Sequence, residues 1–236
     1  MMRFNLLRSL LLCLVTMACA PTLALAEIDH SVARSVVQIR GRDPQGTLYY
    51  GSGVVIGTNQ VVTNCHVVRA GGHIGVFRGA EGLVVRGERA DVLHDLCILE
   101  VPGLTAPPAR KGSLSQLKAG QPLYFYGYPR ALGMSFSAGS VRRLHPFGGS
   151  RIIETSAFFT LGGSGGGVFD ARGRLGGLAT FMAPGHSGAY FAIPSEWVKG
   201  AQALDMRPIE PLQGQSFWED VAHLPAFLKR PEAARH

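Results

Sequence analysis

The strongest constraint on this chain is its punctuation. Mainly apolar runs of three to six residues recur at 36–39, 53–56, 61–63, 73–77, 83–86 and 96–101, and nearly all are bounded by glycine or other turn formers. A second series follows at 122–126, 134–144, 151–155, 168–170, 175–181 and 189–193. Runs of this length suit strands better than amphipathic helices. Gly57-Thr58-Asn59-Gln60, between two of them, predicts a hairpin turn. Glycine supplies 31 of 236 residues, well above the usual share of about 7%. Such a content weakens helices and supplies turns, which favours a turn-rich β protein over a helical bundle. Glycine does not recur at every third position, so the chain is not collagen-like. At 17% charged residues, it is not a highly charged disordered chain either. Pro107 and Pro108 mark a linker at 103–112 between the two strand series. Two small barrels or a sandwich are expected. Helices are expected at 194–199, with Ser195 as N-cap, and after the S-x-x-E capping box Ser216–Glu219, ending near Pro225.

Residues 1–26 read as a secretory signal peptide. Arg3 and Arg8 precede a short apolar run, and Ala24-Leu25-Ala26 forms an A-x-A site before Glu27. The run is shorter than the ~20 residues needed to span a bilayer. Lipidation at Cys19 is the weaker alternative, because Thr16-Met17-Ala18 fits a lipidation box poorly. Export to the periplasm or the medium is expected, with no stable membrane span after cleavage. Loss of Arg3 and Arg8 would lower the net charge from +7 to +5. The remaining basic residues are scattered, and Arg142-Arg143 is their densest patch, so no nucleic-acid partner is expected. Of four cysteines, Cys65 and Cys97 would remain, in a compartment where thiols can pair.

Three short motifs carry chemistry. Ser164 sits in Leu161-Gly162-Gly163-Ser164-Gly165-Gly166-Gly167. A serine hydroxyl is a weak nucleophile that needs a base and donors for a developing oxyanion. Alone, the segment reads equally well as a flexible loop. His66 follows the strand at 61–63, and Asp95 opens the strand at 96–101. The order His, Asp, Ser is that of chymotrypsin-like proteases; α/β-hydrolases place serine first and subtilisins aspartate first. Two cysteines do not complete a zinc shell, so neither metal nor cofactor is expected.

On these residues the chain resembles trypsin-like serine proteases of the HtrA/Deg type. Gly51-Ser52-Gly53-Val54-Val55-Ile56, Thr63-Asn64-Cys65-His66-Val67-Val68, Asp95-Leu96-Cys97-Ile98-Leu99, Gly127-Tyr128-Pro129, Ser137-Ala138-Gly139-Ser140-Val141 and Phe191-Ala192-Ile193-Pro194 are similar to that family's blocks in order and spacing. The resemblance covers about 32–199. It implies an all-β fold of two six-stranded antiparallel barrels with a short C-terminal helical tail. The protease domain would span 27–204, with barrel one at about 30–103 and barrel two at about 114–199. The tail, 205–236, would be too short for a PDZ domain. Its Phe217, Trp218, Val221, Leu224, Phe227 and Leu228 are expected to pack back on a barrel.

The resemblance also assigns roles. Ser164 would be the nucleophile, His66 the base and Asp95 its orienting partner. The oxyanion hole would be built on Gly162, Gly163 and Ser164, with the N–H groups of Gly162 and Ser164 as donors. Gly163 stands where trypsin has the acid that pairs with a new N-terminus, so that route of activation is not expected. Phe158, Phe159, Leu178, Ala179 and Thr180 would form an apolar pocket for small or medium P1 side chains. His66 and Asp95 must touch, which implies proximity of Cys65 and Cys97; a disulfide and two buried thiols are both open. The implied function is an exported serine endopeptidase acting on unfolded or exposed protein segments. The alternative is a weak or inactive protease-fold module for binding or chaperoning. Partners would be protein or peptide substrates, with self-association left open.

Overall fold

The computed structural model describes residues 29–113, 116–129, 132–182 and 189–229. The expected signal peptide lies outside the described residues. No helix among those described is long and apolar enough to cross a membrane.

The first sheet holds β1 (Val36–Arg42), β2 (Leu48–Gly57), β3 (Gln60–Thr63), β4 (His73–Arg78), β5 (Glu81–Val84), β6 (Gly87–Asp91) and β7 (Leu96–Glu100). Their spatial order is β5-β4-β1-β2-β3-β7-β6. The second holds β8 (Arg110–Lys111), β9 (Pro122–Gly127), β10 (Ser135–Phe147), β11 (Ser150–Thr155), β12 (Gly167–Asp170), β13 (Arg174–Met182) and β14 (Tyr190–Pro194). It runs β12-β9-β10-β11-β14-β13-β8, and a β12–β13 pairing closes six strands into a barrel. Here the expected six-stranded barrel is complete, with β8 added in parallel beside β13.

The first sheet is a curled half-barrel whose edge strands β5 and β6 do not pair among the described residues. Its curl is nevertheless tight. Val85 N donates to Ile74 O on β4, and the next residue, Arg86, donates to Glu100 O on β7. One peptide thus steps between opposite edges of the sheet. β6, Gly-Glu-Arg-Ala-Asp, is too polar to read as a strand in the sequence, and two-residue β8 is too short. The predicted hairpin forms, with Gly57 opposite Gln60 and Asn59 at φ 57°.

The uninterrupted apolar runs are explained by two-sided burial. Val55, Val61 and Leu99 fill the first sheet's interior, while their neighbours Val54, Val62 and Ile98 face a shared core. That shared core also takes Tyr126, Phe169, Leu178 and Phe191 from the second sheet, and Phe217 and Leu228 from the tail. The tail therefore packs back as expected through Phe217, Trp218, Leu224, Phe227 and Leu228, but Val221 is 81% exposed. Among the described residues it is helical only as short 3-10 turns at Val221–His223 and Ala226–Leu228, not as an α-helix. Half of the capping box is made: Glu219 Oε2 accepts from Ser216 N at 3.0 Å, but Ser216 Oγ donates to the same oxygen at 2.7 Å while Glu219 N donates to Ser216 O. Glu219 is also held by Arg69, and Phe217 is drawn into the core, so no helix propagates. Ser195 does not cap the other short helix. It starts a 3-10 turn, Ser195–Trp197, that leads into α2 (Val198–Gln202), and its hydroxyl donates to Leu175 O.

One buried charge stands apart from these cores. Glu88, on β6, has no exposed surface, and neither carboxylate oxygen has a hydrogen-bond partner. Arg207 Nε is 3.6 Å away. Burial pushes the Glu88 carboxyl up to about 7, with Arg207 opposing the rise. The folded state therefore keeps a proton that the unfolded chain, ionising near 4.5, releases. Stability should fall as pH rises between those values, by on the order of 3 kcal/mol, and level off above 7. Glu88→Gln should remove that part of the slope and raise Tm at pH 8. Thermal unfolding of both proteins from pH 4 to 8 checks this; parallel curves would refute it.

Candidate active site

His66 lies in α1 (Cys65–Val68), a single turn directly after β3. Asp95 ends the turn before β7, at φ 57° and with no exposed surface. Its carbonyl accepts from Asn64 Nδ2 at 3.0 Å and Cys65 N at 3.3 Å, which fixes the backbone where the two segments meet. Its carboxylate grips His66 twice. Oδ1 accepts His66 N at 2.8 Å, and Oδ2 is 2.7 Å from His66 Nδ1. A carboxylate only accepts at neutral pH, so Nδ1 carries the proton and Nε2 is left as acceptor. Thr63 pairs with Cys97 across β3 and β7, and Cys65 and Cys97 form a disulfide, with Cα atoms 4.9 Å apart. The bridge staples the segments bearing His66 and Asp95.

Ser164 comes from the other sheet, in the loop before β12. Its glycines raise the entropy cost of ordering, yet the loop is tied down by cross-bonds. Ser52 N donates to Ser164 O at 2.9 Å, and Ser52 Oγ to Gly162 O at 2.8 Å. Gly165 N donates to Ala179 O and Ala179 N to Gly166 O, both at 2.8 Å. Gly165 sits at φ +82°, where a Cβ would collide with Ser52 O and Thr63 Oγ1, so only glycine fits. The N–H of Gly163 is taken by Thr160 O at 2.7 Å. Those of Gly162 and Ser164 have no acceptor among the described residues. Ser164 Oγ donates to Thr180 O at 3.1 Å, and no hydrogen bond joins it to His66.

The five predicted pocket residues are split by the fold. Phe158 is 56% exposed, edge-on to Tyr190. Phe159 turns inward against Phe125, and Leu178 joins the core between the sheets. Ala179 and Thr180 are buried; Ala179 acts through its backbone bonds to the Ser164 loop. Thr180 Oγ1 accepts from Asn64 Nδ2 at 3.1 Å and links the two sheets.

Two contributors were not singled out by their chemistry in the sequence. Ser52 holds the Ser164 loop, and Trp218 Nε1 donates to Asp95 Oδ2 at 3.0 Å. Ser52 lies in a G-S-G block that reads only as strand, and nothing local to Trp218 marks it.

Residues 51–178 match the family of the trypsin-like peptidase domain. The chain belongs to this family. Among relatives of the trypsin-like domain, the mitochondrial serine protease HTRA2 of Drosophila willistoni is 31% identical over 196 residues, covering 74% of this chain and 45% of its own. A probable periplasmic serine endoprotease, DegP-like, from Ectopseudomonas mendocina is 32% identical over 155 residues, covering 62% of this chain and 33% of its own. The chain thus spans less than half the length of these relatives. The Rv3671c protease of M. tuberculosis in its active form superposes with a TM-score of 0.70 at 25% identity, covering 79% of this chain and 86% of that one. The HtrA-type protease AlgW with a tripeptide gives 0.66 at 24%, covering 76% and 62%, a likeness of fold.

Proposed function

We propose that this chain is an exported serine endopeptidase that cuts unfolded or exposed protein segments. The observation that supports the reading is an oriented His66–Asp95 pair on one sheet and, tied to its neighbour Asn64 through Thr180, a serine loop that leaves the N–H groups of Gly162 and Ser164 without an acceptor among the described residues. In this reading, Ser164 Oγ turns from Thr180 O to His66 Nε2. His66 takes the proton as Oγ attacks the peptide carbonyl carbon. The oxyanion forms against the N–H groups of Gly162 and Ser164, each worth about 3 kcal/mol of barrier. Gly163 shapes the turn without donating to the oxyanion. Asp95 stabilises the imidazolium, which returns the proton to the leaving amine; water then releases the acyl group by the same route. Phe158, Ala179 and Thr180 offer no countercharge, so small or medium apolar P1 residues are preferred over lysine or arginine.

A fluorophosphonate probe should label the wild-type chain at Ser164 and leave Ser164→Ala unlabelled. Turnover of casein then distinguishes a peptidase from an esterase. Absence of labelling in the folded wild type would instead identify a protease-fold binding module. Peptide-library profiling that returned lysine or arginine at P1 would overturn the pocket assignment.

A further inference from the structure

We propose that Trp218, delivered by the C-terminal tail, is a positioning residue for the His66–Asp95 pair. This inference rests on the endopeptidase reading only for its effect on rate; the geometry stands by itself. Asp95 Oδ2 receives two donors, His66 Nδ1 at 2.7 Å and Trp218 Nε1 at 3.0 Å. With His66 N on Oδ1 at 2.8 Å, three N–H groups surround a carboxylate that has no contact with solvent. A buried carboxylate stays ionised only when donors replace its lost hydration. The indole supplies one of them and fixes the plane of the group that orients His66.

The indole is itself held from several sides. It stacks on Phe181 with centroids 5.0 Å apart and planes at 11°, and meets the His66 ring edge-on at 5.4 Å. Phe181 directly follows Thr180, whose carbonyl holds Ser164 Oγ. Trp218 therefore touches both halves of the site. On either side of it the tail is anchored. Phe217 N donates to Leu93 O at 3.0 Å, and Glu219 makes two bonds to Arg69 at 2.8 and 2.7 Å. Arg69 immediately follows α1, so the tail is fastened to the turn that bears His66. Burial pushes the Glu219 carboxyl up, but the bonds from Arg69 and Ser216 outweigh it and keep the group ionised. The nearby charged pairs are Arg69 with Glu219 at 2.7 Å and Asp91 with His94 at 2.8 Å.

Trp218→Phe keeps an aromatic ring against Phe181 and removes the N–H donor together with one ring of the indole. Asp95 then becomes a stronger acceptor for the imidazolium, which favours protonated His66. Because the carboxylate is no longer held in the plane that orients His66, kcat against a chromogenic peptide should nevertheless fall about tenfold with KM changed less than about threefold. The acid limb of the rate profile should move to higher pH. An unmoved acid limb with unchanged kcat would overturn the proposal. A second measurement needs neither a variant at Trp218 nor activity. The protein has two tryptophans, and Trp197 Nε1 is bonded instead to Gly148 O at 3.0 Å. In the 15N spectrum of the Ser164→Ala chain, the Trp218 indole resonance should shift with the same midpoint as the His66 ring resonances, whereas Trp197, packed on His94 with centroids 4.3 Å apart, should follow that histidine instead. A Trp218 resonance indifferent to that titration would refute the contact, whether or not the wild type cuts peptides.

Discussion

Alanine at Ser164 or at His66 should lower kcat by about 10⁴- to 10⁶-fold, and the double replacement should lower it no further. The reason is that the two groups act as one unit. Without His66, Ser164 Oγ has no base and keeps its proton on the Thr180 carbonyl. Without Ser164, His66 has nothing to activate but water. Activity remaining above the uncatalysed rate would come from the N–H groups of Gly162 and Ser164, which either substitution leaves in place. Steady-state kinetics on a peptide substrate, with circular dichroism to confirm folding, check the prediction. Losses that multiplied in the double variant would show that the residues act separately, and the triad reading would fail.

Replacing both Cys65 and Cys97 by serine should cost about 2–4 kcal/mol of stability. The bridge joins residues 32 apart in sequence, and closing a loop of that size restricts the unfolded chain by about 3–4 kcal/mol in the chain-entropy model. Both sulfurs are fully buried in the first sheet's core, so serine also places hydroxyls where no water reaches. Urea unfolding should show a lower midpoint, and a steeper slope because the unbridged chain exposes more surface. Reduction of the wild type should reproduce the shift. A midpoint unchanged in both experiments would mean that the bridge adds nothing to the fold. His66 adjoins Cys65 and Asp95 lies two residues before Cys97, so local loosening should reach activity before global unfolding.

Much of this molecule was legible in its sequence because the signals are local. A strand shows itself by apolar residues four to eight at a time, and a hairpin by Gly57-Thr58-Asn59-Gln60, because each depends on neighbours along the chain. The apolar runs were readable even where both faces are buried, as in β2, β3 and β7. Polar β6 was not, because its place is set by pairing with β7 rather than by its own side chains. The capping box at Ser216 misled for a related reason. Only half of it forms, because Arg69 competes for Glu219 and the core takes Phe217, and those partners lie far away in sequence.

The sequence alone determined the order His66, Asp95, Ser164 and the glycines around the serine. The glycines by themselves do not say which N–H groups stay free; only the family resemblance pointed to those of Gly162 and Ser164. Gly163 and Gly166 spend theirs inside the loop, and Gly165 spends its own on β13. Nor could the sequence separate Phe158, left at the surface, from Phe159, turned into the core. Tertiary structure alone brought Trp218 to Asp95, 123 residues away. Periodicity and turn chemistry are written in adjacent residues. A hydrogen bond between distant side chains forms only after the sheets have curled and the tail has found the seam between them.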